Sequence, residues 1–351
     1  MESPQSSSAL DRLIFNNTVL RRLPVDVSDQ QGSRTVPGAC YSRIASLQPL
    51  LRPRLVALSQ PALSLLGLNV QDVLDDPLAP EYLSGSRLLL GSQAAAHCYC
   101  GHQFGFFAGQ LGDGAVMYLG EVESDTCGRW EIQVKGAGVT PYSREGDGRK
   151  VLRSSIREFL CSEAMAALGI PTTRAASLVT SDLYVSRDPL NNGQRIEERC
   201  PVVMRLAPTF IRFCNFSVDM TLLETDQDEL REKQRDDWSR WICRYRRRLA
   251  RESDCTSDKH LVKQERLRVM SSSNPRVVLR NYIAQNAIQA AEKGDFSEVN
   301  RVLKILEKPY LDPEPLSGQD AACGEQEDQE RWFPDKYDAK PPAWASKICI
   351  T

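Results

Sequence analysis

With 351 residues and a formal net charge of −2, the chain has enough material for a sizeable core or two domains. It carries no basic excess pointing to nucleic acid or an anionic membrane surface. Its hydrophobic content of 41% is ordinary for a soluble protein, and no apolar run approaches the roughly 20 residues of a membrane span. Eleven cysteines are many, but their scattered spacing makes no secreted disulfide framework. The opening MESPQSSSALDRLIF lacks the apolar centre of a secretory signal. With Glu2 and Asp11 it also lacks the acid-poor character of a mitochondrial presequence, so the residues themselves read as an untargeted intracellular chain.

Residues 1–35 read as a lead-in, with Leu13, Phe15, Leu20 and Leu23 as packing residues. The spacing of Leu55, Leu58 and Leu63 predicts a helix-rich segment from Pro49 to Leu68, interrupted at Pro61. Cys98-Tyr99-Cys100, with His97 and His102 nearby, supplies ligand types in a spacing that fits no usual zinc knuckle. A glycine-rich stretch follows, with Gly101, Gly105, Gly109, Gly112 and Gly114, and opens onto the apolar run Val116–Leu119. Paired with the alternating Trp130–Val134, that run predicts an antiparallel hairpin.

Lys135 closes the second strand. A loop bearing Gly136, Gly138, Gly146 and Gly148 then leads to a helix predicted from Val151 to Leu168, with Gly169 as its stop. A glycine-rich turn opening onto one strand, with a lysine on the next, is how nucleotide phosphates are covered in kinase-like N-lobes. Glu158 on the helix is positioned to pair with Lys135; its plainer reading is a solvated helix carboxylate. Arg149, Lys150, Arg153 and Arg157 crowd the helix start, where cations oppose the macrodipole and a bound polyphosphate would compensate them. Arg205 and Arg212 end or follow a strand predicted over Cys200–Leu206; their forked donors suit phosphate, and the plainer reading is surface salt bridging.

Beyond Phe216 the composition becomes charged. Thr225–Arg251 predicts a helix with Trp238, Trp241, Tyr245 and Leu249 in one apolar stripe, its arginine cluster reading as a solvated face. Asn274-Pro275 predicts the start of a helix running to Gly294, followed by another from Phe296 to Lys308. Residues 311–335 are acidic and read as disordered. The expected organisation is a lead-in over 1–98, a nucleotide-binding lobe over 99–216, a helical region over 217–310 and a tail over 311–351.

Several long stretches carry a resemblance: GHQFGFFAGQLGDG, WEIQVKGAGVTPYSREGDGRKVLRSSIREFLCSEAMAALGIPTTRA, VVMRLAPTFIRF and NPRVVLRNYIAQNAIQAAEKGDF. They resemble the selenoprotein O family across most of residues 10–216 and 230–351. The resemblance implies an α+β, protein-kinase-like N-lobe of antiparallel sheet and one central helix, followed by a shortened, mainly helical C-terminal region. It implies transfer of AMP from ATP, bound in an inverted orientation, to Ser, Thr or Tyr hydroxyls of protein substrates, with Mg²⁺ or Mn²⁺. On the matching positions, Lys135 is the nucleotide-binding lysine and Glu158 its partner. Gly112 and Gly114 belong to the first glycine-rich loop, Asp147 and Gly148 to a second ATP-contacting turn, and Arg205 and Arg212 to the phosphates. Ala115 stands where bacterial members carry a further arginine. The implied partners are ATP and proteins, with neither nucleic acid nor membrane, and the implied location is mitochondrial, against the cytoplasmic reading of the N-terminus.

The family's catalytic loop, reading like HGVMNTDNMS, and its DYGPFGF segment have no counterpart here. They would supply the general-base Asp and the metal-binding Asn and Asp. The chain's last residues, Cys349-Ile350-Thr351, precede the place where animal members carry selenocysteine. Three expectations therefore stand: a protein adenylyltransferase, an inactive nucleotide-binding fragment, and a redox or interaction protein acting through the C-terminal cysteine.

Overall fold

Alternation along the chain builds the central hairpin of the computed structural model. This structure describes residues 8–103, 106–124, 127–212, 236, 239–248, 259–310, 337 and 341–348. Strands β6 (Val116–Ser124) and β7 (Gly128–Lys135) pair antiparallel, with Val116 opposite Lys135 and Tyr118 opposite Gln133. Ile132 and Val134 face an apolar core, while Glu131, Gln133 and Lys135 share the other face, as a period of two requires.

Around this hairpin lie β1 (Val25–Asp26), β2 (Tyr41–Arg43), β3 (Arg54–Leu58), β4 (Ala95–Gln103), β5 (Phe106–Gly112), β8 (Arg174–Thr180) and β11 (Val202–Ala207). The sheet order is β1-β2-β4-β6-β7-β11-β8-β3, with β5 paired to β4; a separate hairpin joins β9 (Tyr184–Arg187) to β10 (Ile196–Arg199). Apart from the parallel β1–β2 pair, every neighbouring pair in the described sheets is antiparallel. The α+β class read from the sequence holds.

The predicted helix-rich segment at Pro49–Leu68 is corrected. Arg54–Leu58 is a strand against β8, and only Gln60–Ser64 is helical there. Ser59 caps that helix by accepting the Ala62 N–H, and Pro61 occupies its first turn, where a missing N–H costs nothing. Pairing across a sheet outweighed leucine spacing that suited a helix.

We label the helices α1 (Thr18–Arg22), α2 (Gln60–Ser64), α3 (Val70–Leu74), α4 (Ala79–Leu83), α5 (Leu152–Ala167), α6 (Lys259–Ser273), α7 (Asn281–Glu292) and α8 (Ser297–Leu306). The chain divides into two units. Met1–Phe216, Val277–Pro309 and Pro313–Thr351 form one; Ser217–Arg276 with Tyr310–Asp312 form the other. In the first unit, one core gathers Leu63, Val73 and Leu83 against Ile132, Val134 and Met204. A second packs Ile156, Phe159 and Leu160 of α5 on Leu178 and Val203, and on Ile283, Ile288, Val299 and Val302 of α7 and α8. Burying each of these large side chains contributes about 1.5–3 kcal/mol, which fixes the rotation of α5 on the sheet.

In the second unit α6 is helical and so are residues 239–248, where the exposed Trp241 and Tyr245 stack at 5.3 Å. Trp238 and Leu249 lie outside the described residues, as do 311–335 and Cys349. The predicted cap at Asn274 is corrected too. Its backbone N–H bonds the Met270 carbonyl, ending α6, while α7 begins at Asn281. Between them Val277 is buried in the core, so packing holds the intervening chain out of a helix.

One buried junction makes the fold sensitive to pH. Glu163 is buried and accepts from Ser59 (2.5 Å), from Arg174 (2.6 and 3.0 Å) and from the Ala175 N–H (2.9 Å). Glu307, just past α8, lies 3.4 Å from Ser59 Oγ. Burial, and then repulsion from Glu163, push its carboxyl up to about 7. Because the folded value exceeds the unfolded one, the native state holds a proton that the unfolded chain releases. Stability therefore falls as pH rises from about 4.5 to about 7 and is flat above. Glu307→Gln, which needs no proton, should flatten that slope and raise the melting temperature by a few degrees at pH 8 relative to the parent, as read by calorimetry across pH 5 to 8.

Candidate nucleotide site

Lys135, Glu158 and Arg205 meet because three elements present them to one point. Lys135 ends β7 on the face opposite the apolar core, and Arg205 sits on β11 opposite Gln133, two residues along the same face. Glu158 projects from α5 between the buried positions Ile156 and Phe159. Lys135 Nζ lies 2.7 Å from Glu158 Oε2, and Arg205 Nε lies 3.2 Å from Glu158 Oε1, an ion pair lacking hydrogen-bond geometry. Arg205 also donates to Thr173 Oγ1 (3.1 Å), and its guanidinium covers the Phe210 ring at 5.5 Å. All three charged side chains keep partial solvent access, at 25%, 25% and 17% exposed for Lys135, Glu158 and Arg205. One carboxylate thus orients two cations toward a solvent-reachable place.

Arg212 is held by residues that sequence reasoning did not single out for it. Its Nη2 lies 3.3 Å from Asp113 Oδ1, its Nη1 lies 3.2 Å from His97 Nδ1, and its plane stands 4.3 Å over Tyr99. His97 was read as a ligand type; here it is buried and stacked on Tyr41 at 4.5 Å. Burial and the Arg212 charge drop its proton affinity to about 4, so it is neutral at physiological pH and Nδ1 is an acceptor for Arg212. Asp113 is also buried. Burial raises its carboxyl above the usual range, and Arg212, then Arg205, a hydrogen bond from Tyr99 and Lys135 offset that only in part. A carboxylate between the two glycines of Gly112-Asp113-Gly114, with arginines later in the chain, was the available signal.

The two glycines answer to protein packing. A Cβ on Gly112 would overlap the Tyr142 ring, and one on Gly114 would lie 2.7 Å from the Tyr142 carbonyl oxygen. The same contact is tied by Thr140 Oγ1 donating to the Asp113 carbonyl (2.8 Å) and Ser143 Oγ to the Gly114 carbonyl (2.5 Å). The glycine turn and the 140–143 loop therefore form one rigid wall.

Asp147 and Gly148 form the adjoining turn. Asp147 Oδ1 accepts from Arg187 (2.7 Å) and from the Arg149 N–H (2.9 Å). Burial opposes the charge of Asp147, but these bonds outweigh it and hold its carboxyl below the usual range. Gly148 adopts φ +66, and a Cβ there would overlap the Gly138 carbonyl oxygen.

The cations at the start of α5 are mostly satisfied by protein. Arg149 donates to the carbonyls of Gly136 (3.3 Å) and Gln48 (2.7 Å), Arg153 clamps Glu198 (2.7 and 3.2 Å), and Arg157 donates to Gln285 (2.7 Å). A bound anion is not needed to explain those three.

Among the described residues no three His, Cys, Asp or Glu converge as a metal cage. The carboxylates near the site are each engaged: Asp113 with Arg212, Asp147 with Arg187, Glu158 with Lys135 and Arg205. The described donors therefore do not fit a protein-held Mg²⁺ or Mn²⁺.

A family model described as "Protein adenylyltransferase SelO" matches residues 31–230, more than half of the chain. The chain is 32% identical over 654 aligned positions to "Protein adenylyltransferase SelO-1, mitochondrial" of Danio rerio, covering 99% of this chain and 94% of that protein. Since this chain has 351 residues, close to half of those positions face no residue of it. Identity rises to 57% over 213 residues with "Protein adenylyltransferase SelO, mitochondrial" of Homo sapiens, across 59% of this chain and 32% of the human protein. It is 52% over 206 residues with "Protein nucleotidyltransferase YdiU" of Azoarcus sp. (strain BH72), across 59% of this chain and 39% of that one. With the paired lysine and glutamate and the two arginines now placed, these matches settle the kinship: the chain belongs to the SelO family.

Proposed function

We propose that this chain binds ATP at the Lys135–Glu158 site and serves protein adenylylation, the transfer of AMP from ATP to protein hydroxyls. The observation that carries this reading is the Glu158 carboxylate holding both Lys135 and Arg205, inside a family whose matched relatives are named adenylyltransferases and nucleotidyltransferases. Triphosphate oxygens would bond the two cations while Glu158 goes on orienting them, with Arg212 adding a forked donor fixed from behind by Asp113 and His97. The Gly112–Gly114 turn and the Asp147-Gly148 turn would border the nucleotide on either side. Catalysis of this kind rests on positioning and on neutralising phosphate charge; these residues supply the cationic part of both, while the metal-binding and general-base residues that the family resemblance implies have no counterpart in the chain. Mg²⁺ or Mn²⁺ would accompany the triphosphate as part of the substrate. Mitochondrial residence is proposed with it, since the Danio, mouse and human relatives carry that word in their names.

Incubation of the purified chain with ATP labelled in its α-phosphate, a divalent metal and a protein mixture should place labelled AMP on protein, and Lys135→Ala should abolish both the labelling and the rise in melting temperature that ATP confers. Stabilisation by ATP without any transfer would support a nucleotide-binding chain instead; neither effect would sink the reading altogether.

Glu158→Gln keeps the shape of the side chain but removes the charge shared by Lys135 and Arg205. Because only a quarter of each side chain in the Lys135–Glu158 pair is exposed, the loss leaves two largely buried cations uncompensated, and the melting temperature should fall by a few degrees. Apparent ATP affinity, measured by calorimetric titration, should fall about tenfold as the two cations lose their common orientation.

Arg212→Met removes the forked donor while keeping an unbranched side chain beside Tyr99. It should weaken ATP about tenfold in the same titration and leave AMP binding nearly unchanged, if its partner is the outer part of the triphosphate.

A further inference from the structure

Among the described residues, Lys150 is the one cation of the α5 entrance left without a hydrogen-bond or ion-pair partner. Arg149, Arg153 and Arg157 each donate to a carbonyl, carboxylate or amide oxygen, whereas the Lys150 side chain makes no hydrogen bond or ion pair among the described residues. It is half-buried and lies against the start of the loop after β7: a Cβ placed on Gly136 would stand 3.3 Å from Lys150 Cβ and 3.5 Å from its Cγ. The Lys150 stem therefore runs beside the residue that follows Lys135.

Charge does not balance there. Glu158 serves both Lys135 and Arg205, and Asp147 is taken by Arg187, so Lys150 is a further cation facing two carboxylates already in use. Burial and then repulsion from Lys135 lower the proton affinity of its amine, while Glu158 raises it and Arg187 lowers it again. An incoming anion would relieve that repulsion and give the unused donors a partner.

From this arrangement we infer that Lys150 and Lys135 together form a polyphosphate subsite, with the Lys150 ammonium donating to a phosphate oxygen. It rests on the ATP reading for the identity of the natural ligand, but the anion site stands or falls separately. The subsite takes a chain of linked phosphates, whether carried by a nucleotide or free.

The experiment follows thermal unfolding of the full chain titrated with ATP and, in parallel, with inorganic tripolyphosphate. Both should stabilise the parent; Lys150→Gln should weaken apparent affinity for each about tenfold, and Lys150→Arg should recover most of it. Equal titrations for the parent and Lys150→Gln would overturn the inference while leaving the ATP reading intact. Stabilisation by tripolyphosphate alone, dependent on Lys150, would uphold the subsite and remove the ATP reading; no response to either anion would remove both. A readout needing no variant accompanies it. An amine-acylating reagent should modify Lys150 in the unliganded chain, and tripolyphosphate should protect it, as read by peptide mass spectrometry. Equal acylation with and without the anion would count against the subsite even if Lys150→Gln failed to fold.

Discussion

The carboxylate of Glu158 is the interaction on which the site depends. It joins a sheet and a helix that are held together for unrelated reasons, since Ile156, Phe159 and Leu160 fix α5 on β8 and β11 through apolar burial alone. That rigid packing leaves Glu158 little choice of direction. It brings one carboxylate to within 2.7 Å of Lys135 and 3.2 Å of Arg205, from strands that are neighbours in the sheet. With only a quarter of each side chain exposed, the Coulomb gain of such a bridge is set against the cost of desolvating both charges, so net stability is not its main contribution. What it supplies is orientation, because two long flexible cations would otherwise sample many rotamers and meet a phosphate at greater entropic cost.

A second layer of polar contacts holds the rest of the wall. Asp113, His97 and Tyr99 hold Arg212 from three sides, and the 140–143 loop locks the glycine turn through Tyr142, Thr140 and Ser143. The glycines are therefore required by protein atoms before any ligand arrives. The same logic applies to the cations at the start of α5. They crowd an unfavourable helix end, yet three of the four are satisfied by the protein, and among the described residues only Lys150 is left without a partner.

Local pattern made the hairpin of β6 and β7, the extent of α5 and the place of Lys135 at the end of its strand legible in the sequence, because alternation and helical spacing act over a few residues and need no distant partner. The strand at Arg54–Leu58 and the late start of α7 at Asn281 were not legible. The first depends on pairing with β8, more than a hundred residues away, and the second on Val277 sinking into a core built by α5 and α8.

By itself, then, the sequence determined an α+β chain with a lysine-bearing hairpin and a glutamate-bearing helix, and long motifs whose kinship the family match bears out. Only the tertiary structure decided who partners whom: Arg212 with Asp113 and His97, Asp147 with Arg187, Arg153 with Glu198, and Lys150 with none of the described side chains. The reason is physical. Backbone periodicity is written in neighbouring residues, whereas the partner of a charge is set by whichever distant side chain the packed core carries to within about 3 Å of it.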